Sequence, residues 1–163
     1  MGKFSGGLSQ QCYDTLVREA RGARRVLEFG PGHSTNAFID AGVPEIVSLE
    51  HDPKWLQKSI DRYAKYHNVH IFRYTNSPVI EMPHPDPRSF DLAFVDSPVG
   101  HDRGRVEHPG QEGCARLNTL TFALQHSRVV LLHDAGRKGE QRSLERIGRP
   151  FEMITPRIAK ICA

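Results

Sequence analysis

The sequence predicts an α/β domain built on a doubly wound, mostly parallel sheet flanked by helices. Three observations carry this. Short apolar runs alternate along the chain with segments of helical periodicity. Two of the runs, Asp91 to Asp96 and Arg128 to His133, are nearly all apolar inside, as strands covered on both faces require. A glycine turn, Gly30-Pro31-Gly32, follows the first run and opens directly into a helix.

The first strand is predicted over Arg25 to Gly30 and the second over Glu45 to Glu50. A weaker third covers Val69 to Tyr74, and the two apolar runs above supply the fourth and fifth. Cys12, Leu16, Val17 and Ala20 share one face of a helix before the first strand. Asp52-Pro53 reads as a cap and first helical residue, with Leu56, Ile60 and Tyr63 following on one face. Leu117, Leu120 and Leu124 form a further apolar stripe, and a shorter helix from Glu140 to Ile147 is closed by Gly148 and Pro150. Phe151 to Ile154 and Ile158 to Cys162 are late strand segments around Pro156. Two long connections, Pro78 to Ser89 and Ser97 to Gly110, stand out, the second rich in His, Arg and Gly.

The length of 163 residues suits one domain, expected to span 1–163. A net charge of +3 indicates a mixed soluble surface. No basic stripe with interleaved aromatics is present, so no nucleic-acid partner is expected; Arg103, Arg105 and Arg116 are a local exception. Cys12, Cys114 and Cys162 lie far apart without a Cys-x-x-Cys pair, which predicts reduced thiols in a cytoplasmic protein. The N-terminus shows no apolar signal region, and the longest aliphatic run, Val129 to Leu132, is too short to span a membrane.

Val26-Leu27-Glu28-Phe29-Gly30-Pro31-Gly32-His33-Ser34-Thr35 is the most informative stretch. Its turn lets a ligand approach the backbone, and the helix start offers N–H groups. A dinucleotide fold prefers Gly-x-Gly-x-x-Gly, but Thr35 stands at the third glycine position. Glu28 would repel a pyrophosphate there, yet could attract an ammonium group directly or through water. Glu50 ends the second strand, where a carboxylate can accept both hydroxyls of a ribose.

Glu28-x-Gly30-x-Gly32-x-Ser34 followed by Glu50 resembles the class I, Rossmann-like S-adenosylmethionine-dependent methyltransferases. The resemblance runs from the first helix to about Ile147. It implies S-adenosylmethionine as cofactor, held by Glu28, Gly30, Pro31, Gly32, Ser34 and Glu50, with Asp96 nearby. Thr75-Asn76-Ser77 would flank the adenine, Asn76 at their centre, and His51 is either an adenine contact or a bystander. The sequence departs from the family at its end, where Phe151 to Ala163 must provide short or tightly joined last strands through Thr155-Pro156-Arg157.

Strand four ends in Asp96-Ser97-Pro98 and strand five in His133-Asp134-Ala135, both at the edge where such sheets bind ligands. These turns resemble those of small O-methyltransferase-like proteins, and the Asp-x-Pro turn also resembles the glucuronoxylan methyltransferase family. Catechol O-methyltransferase-like enzymes hold a divalent metal at these strand ends. Asp96 and Asp134 match its two aspartates, but Ala135 replaces the asparagine, which puts a magnesium site in doubt. His133 and His101 would suit a transition metal better.

The expected catalytic set is Asp96, His133 and Asp134, one of which assists deprotonation of a hydroxyl acceptor. The structural alternative has Asp134 capping the next helix and Asp96 bonded to loop backbone. His101, Arg103 and Arg105 are candidate acceptor contacts, with a solvated loop as the alternative, and Arg137 and Glu140 are expected to pair across a helix turn. The expected activity is O-methylation of a small-molecule or saccharide hydroxyl. The alternatives are N-methylation of nucleic acid or protein, although the Asn/Asp-Pro-Pro-aromatic signature is missing, or a non-catalytic cofactor-binding subunit. An NAD-binding protein is disfavoured by Thr35 and Glu28. The small size suggests a homodimer that completes the pocket.

Overall fold

The computed structural model describes residues 7–75, 90–98 and 113–162. In chain order the elements are α1 (Gln10–Ala20), β1 (Arg25–Phe29), α2 (His33–Asp40), β2 (Glu45–Glu50), α3 (Pro53–Tyr63), β3 (Val69–Arg73), β4 (Phe90–Val95), α4 (Leu117–His126), β5 (Ser127–His133), α5 (Lys138–Ile147), β6 (Phe151–Thr155) and β7 (Ile158–Cys162). The strands form one sheet in the order β3-β2-β1-β4-β5-β7-β6. The first five run parallel, and β7 turns antiparallel against β5. This is the predicted mostly parallel, doubly wound α/β sheet.

Alternation along the strands divides the core in two. Val26, Ile46, Leu92, Phe94 and Leu131 pack with Cys12, Leu16 and Ala20 of α1 and with Ala37 and Phe38 of α2. Leu27, Phe29, Leu49, Val95, Val130 and Leu132 pack on the other side with Leu120 and Ala123 of α4 and Leu144 of α5. Burying both faces explains why β4 and β5 read as continuous apolar runs.

The helix starts and stops follow local chemistry. Asp52 caps α3 through Oδ1, which accepts from the N–H groups of Lys54 and Trp55, and Pro53 takes the first helical position. The expected inward face of α3 is corrected. Tyr63 is buried beside Ser59, but Leu56 is half-buried and Ile60 is 41% exposed. The reason is position: α3 lies over β2 and the sheet-edge strand β3, which offers only a narrow surface to cover. In α4 the inward residues are Thr119, Leu120 and Ala123, with Leu117 and Leu124 half-buried at the margins.

The short C-terminal region forms the tight hairpin expected of it. Two residues, Pro156 and Arg157, join β6 to β7, and Thr155 Oγ1 accepts from the N–H groups of Arg157 and Ile158. Ala135 N–H donates to the Arg157 carbonyl at 3.1 Å, so the hairpin turn is tied to the end of β5. Among the described residues, no helix is long and apolar enough to cross a membrane.

Gly148 ends α5 at φ 64°, with its N–H donated to the Leu144 carbonyl. That left-handed conformation disfavours a Cβ. Gly148→Ala should therefore destabilise the fold by about 1 kcal/mol, and Gly148→Asn by less. Urea denaturation midpoints compared at equal slope measure both.

Candidate cofactor and acceptor site

Strand register builds the site. Phe29 pairs with Leu49 on one side and with Val95 on the other, and Val95 pairs with Leu132. One step further along, Glu50, Gly30, Asp96 and His133 form a row across the carboxyl edge of β2, β1, β4 and β5. The ladder continues into this row: Gly30 N–H donates to Leu49 O at 2.9 Å, and Asp96 N–H to Phe29 O at 3.0 Å. The order of the sheet reverses between β1 and β4, which makes this edge the switch-point crevice of an open α/β sheet.

Gly30 is required twice over. Its φ is 90°, and a Cβ there would stand 3.0 Å from the Ser97 Cβ. Around a Cβ built on Gly32, in contrast, no atom of the described residues other than its chain neighbours lies within 4 Å. The loop is thus pressed against β4 at Gly30 and open at Gly32, where α2 begins.

Beneath this loop Glu28 is 0% exposed. Oε1 accepts from the Ser34 hydroxyl, and Oε2 accepts from Thr35 Oγ1 at 2.7 Å and Ser48 Oγ at 2.6 Å. Thr35 Oγ1 also accepts the Gly32 N–H at 3.0 Å, and the Tyr63 hydroxyl donates to the Gly32 carbonyl at 2.6 Å. Burial pushes the Glu28 carboxyl up to about 7, against the pull of its three hydroxyl partners. This corrects the expected direct role of Glu28 toward an ammonium group, because its oxygens are enclosed and already bonded. The Ser34 hydroxyl is likewise committed to Glu28, so its side chain holds the loop from below. Pro31 is buried within the same turn.

Glu50 sits at the end of β2, where Oε1 accepts the N–H groups of His51 at 2.8 Å and Asp52 at 2.9 Å. Oε2 takes no hydrogen bond among the described residues. His51 Nδ1 lies 3.1 Å from Glu50 Oε1 and 3.2 Å from Ser97 Oγ, which is itself 2.9 Å from the Tyr74 hydroxyl. His51 is therefore built into the wall between β2 and β4. Asn76, His101, Arg103 and Arg105 lie outside the described residues.

Asp96, His133 and Asp134 come together at the ends of β4 and β5, with ligand atoms within 4.8 Å of one another. Asp96 is 29% exposed in its side chain, and its Oδ1 lies 2.8 Å from His133 Nδ1 and 3.2 Å from Arg116 Nη2. Its Oδ2 takes no hydrogen bond among the described residues. The His133 side chain is only 5% exposed. Since a carboxylate only accepts, Nδ1 carries the donated hydrogen, and the buried Nε2 has no hydrogen-bond partner among the described residues.

Asp134 is enclosed by arginines. It is buried at φ 54°, with Oδ1 accepting from Arg157 Nε at 3.0 Å and Oδ2 lying 2.8 Å from Arg137 Nη2. Burial works to raise its carboxyl, but His133 and the Arg157, Arg137 and Arg116 guanidiniums outweigh it and hold the group below the usual aspartate range. A carboxylate so enclosed and so stabilised is a poor base. It does not cap α5 either, since Arg137 takes the N-cap position. Glu140 stands 3.6 Å from Arg116, while Arg137 closes on Asp134.

Arg116, Thr35, Ser48, Tyr63 and Arg157 were not singled out for the site from sequence. Arg116 carried a signal: it precedes Thr119 and Leu120 by three and four residues and so shares their inward helical face. The others are a hydroxyl at a rejected glycine position, a strand serine, a helix-face tyrosine and a turn arginine, which have no motif of their own.

No protein-family model and no curated protein matches the sequence. Solved structures match it over nearly the whole chain. A candidate RNA methyltransferase from Pyrococcus horikoshii is 16% identical with a TM-score of 0.62, covering 93% of this chain and 82% of its own. A candidate caffeoyl-CoA O-methyltransferase from Staphylococcus aureus is 14% identical with a TM-score of 0.60, covering 96% and 85%. The N-terminal domain of EvdMO1, solved with S-adenosylhomocysteine bound, is 17% identical with a TM-score of 0.59, covering 94% and 80%. The fold is that of the class I methyltransferases. The row Glu50, Gly30, Asp96 and His133 lies at the carboxyl edge of the sheet, the edge where open α/β folds bind ligands.

Glu28 makes stability depend on pH in a defined direction. Its folded carboxyl keeps a proton up to about 7, while the unfolded group releases it near 4.5. Between those values the folded state binds more protons, so stability falls as pH rises through the window and levels above it. The shift corresponds to a contribution on the order of 3 kcal/mol. Comparing urea unfolding of wild type and Glu28→Gln from pH 4.5 to 7.5 isolates this term, and the decline should be shallower in the variant. Parallel pH curves would mean that Glu28 is already ionised when folded.

Proposed function

We propose that the protein is an S-adenosylmethionine-dependent methyltransferase acting on a hydroxyl oxygen of a small molecule or saccharide. The observation that carries the reading is the row at the sheet edge: an open glycine loop flanked by two carboxylates, Glu50 and Asp96, each with one oxygen that takes no hydrogen bond among the described residues. The S-adenosylhomocysteine-bound EvdMO1 domain, similar in fold, supports the choice of cofactor.

The residues present fit that group. The Gly32 region offers room and the start of α2. Glu50 Oε2 would accept from the ribose hydroxyls, while Oε1, fixed by two backbone N–H groups, sets its direction. Gly30, Pro31 and Gly32 would line the methionine part. Glu28 and Ser34 would act from beneath, by holding the loop. His51 would line the adenine side together with Asn76. When bound, S-adenosylmethionine supplies an electrophilic sulfonium methyl group.

Asp96 does the work on the acceptor side. Its Oδ2 would accept a hydrogen bond from the acceptor hydroxyl and take its proton as the oxygen–methyl bond forms and the methyl–sulfur bond breaks, the sulfur leaving as a neutral thioether. His133 is a positioning residue rather than the base, because its Nδ1–H is directed at Asp96 and its side chain is enclosed. His101, Arg103 and Arg105 would contact polar groups of the acceptor. A carboxylate at the transfer point, without the Asn/Asp-Pro-Pro-aromatic sequence of amino-group methylation, favours oxygen over nitrogen.

Two measurements test this. In calorimetric titration with S-adenosylhomocysteine, wild type should bind and Glu50→Ala should lose at least tenfold in affinity, about 1.4 kcal/mol. Wild-type protein that is folded yet indifferent to S-adenosylhomocysteine would sink the cofactor assignment. Across a panel of hydroxyl acceptors, Asp96→Asn should lower kcat by about 100-fold while S-adenosylhomocysteine affinity stays within about twofold. Equal turnover in Asp96→Asn would remove the base.

A further inference from the structure

The trio Asp96, His133 and Asp134 has the spacing of a metal-binding set, and related strand ends suggested a divalent ion there. The surrounding charges do not fit one. The Arg116 side chain is 2% exposed, and its guanidinium reaches every wall of this corner. Nη2 lies 3.2 Å from Asp96 Oδ1 and 3.9 Å from Asp134 Oδ2. Nε donates to the Pro98 carbonyl at 2.8 Å, and Nη1 to the His133 carbonyl at 2.8 Å. Nε also stands 3.6 Å from Glu140 Oε1.

We propose that the Arg116 guanidinium takes the place of a divalent metal at the catalytic end, so that a cation built into the chain organises the ends of β4 and β5. The inference rests on the methyltransferase reading for its functional meaning, and it leaves turnover metal-independent.

Three lines of argument support it. A metal bridging the trio would have to share Asp96 Oδ1 with a guanidinium nitrogen 3.2 Å away. Both oxygens of Asp134 are already turned to Arg137 and Arg157. Among the described residues, three guanidiniums, Arg116, Arg137 and Arg157, face three carboxylates, Asp96, Asp134 and Glu140, so a further double positive charge would find no uncompensated anion. Arginine also provides what a spherical ion cannot. Its planar fork donates in fixed directions to two backbone carbonyls while pairing with Asp96, which binds the turn after β4 to the end of β5. Arg116 is on this account a positioning residue. It fixes Asp96 without touching the acceptor.

The test reads metal binding and does not need turnover. Purified wild-type protein is titrated with Mn2+ and the free-ion signal is followed by electron paramagnetic resonance. Wild type should leave Mn2+ free up to about 1 mM, a range where a built carboxylate site would bind. Arg116→Gln, checked for fold by circular dichroism, should bind Mn2+ at least tenfold more tightly than wild type, and Arg116→Lys, which restores a cation, should not. Mn2+ bound by wild type below about 100 μM and released by Asp96→Asn would overturn the proposal. So would a folded Arg116→Gln with no gain in Mn2+ affinity. If Arg116→Gln does not fold, the wild-type titration with Asp96→Asn as control decides alone. S-adenosylhomocysteine titration reads the methyltransferase assignment separately, so the two can fail independently.

Discussion

The fold turns on a carboxylate that never meets water. Glu28 lies in β1, the middle of the five parallel strands, and its two oxygens gather hydroxyls from β2 and from the first turn of α2. A charge in such a place is costly unless donors surround it, and even with three donors its carboxyl is pushed up to about 7. In return, β1, β2 and α2 are fixed relative to one another by directional bonds. Thr35 relays that order to the Gly32 N–H, and Tyr63 holds the Gly32 carbonyl from α3. The glycine loop is thereby supported from below, and its upper surface is left to a ligand.

The proposed acceptor end solves the same problem with the opposite charge. There the ends of β4 and β5 are joined by Arg116, whose guanidinium serves two carbonyls and two or more carboxylates. The short C-terminal hairpin is part of this arrangement. Its two-residue turn places Arg157 against Asp134, while the Ala135 N–H binds the Arg157 carbonyl. Asp134 thus becomes a structural counter-ion, and Asp96 keeps Oδ2 without a hydrogen bond among the described residues.

Much of the scaffold was legible because it depends on local patterns. Apolar continuity marked β4 and β5, Asp52-Pro53 marked the start of α3, and Gly148 marked the end of α5. Glu28, Gly30, Glu50 and Asp96 were legible as positions, since each follows from a strand end. Their roles were less so. Sequence could not show that Glu28 is enclosed by hydroxyls, because Ser48 lies twenty residues away and meets it only through strand register. Nor could it separate Asp96 from Asp134, two aspartates after neighbouring strands. The difference lies in which arginines reach them, and Arg116, Arg137 and Arg157 come from three separate segments. Ile60 was misplaced because helical spacing gives a face but not the width of surface available to cover it.

The arrangement of the row favours group transfer over simple binding. β2 and β4 both neighbour β1, so Glu50 and Asp96 stand about two strand spacings apart, ~10 Å, on either side of Gly30. Between them Gly30 carries no side chain, and at Gly32 none of the described residues fills the space a Cβ would take. An elongated ligand can therefore lie across β1 with one end fixed at Glu50 and its reactive part near Asp96. A binding module needs only the first anchor. The second is an aspartate kept partly open to solvent, with one oxygen held by His133 and Arg116 and the other without a hydrogen bond among the described residues, which would suit the proposed transfer to an acceptor hydroxyl. The two ends are braced by separate networks, Glu28 beneath one and Arg116 beneath the other, so loss of either should affect binding and chemistry unequally.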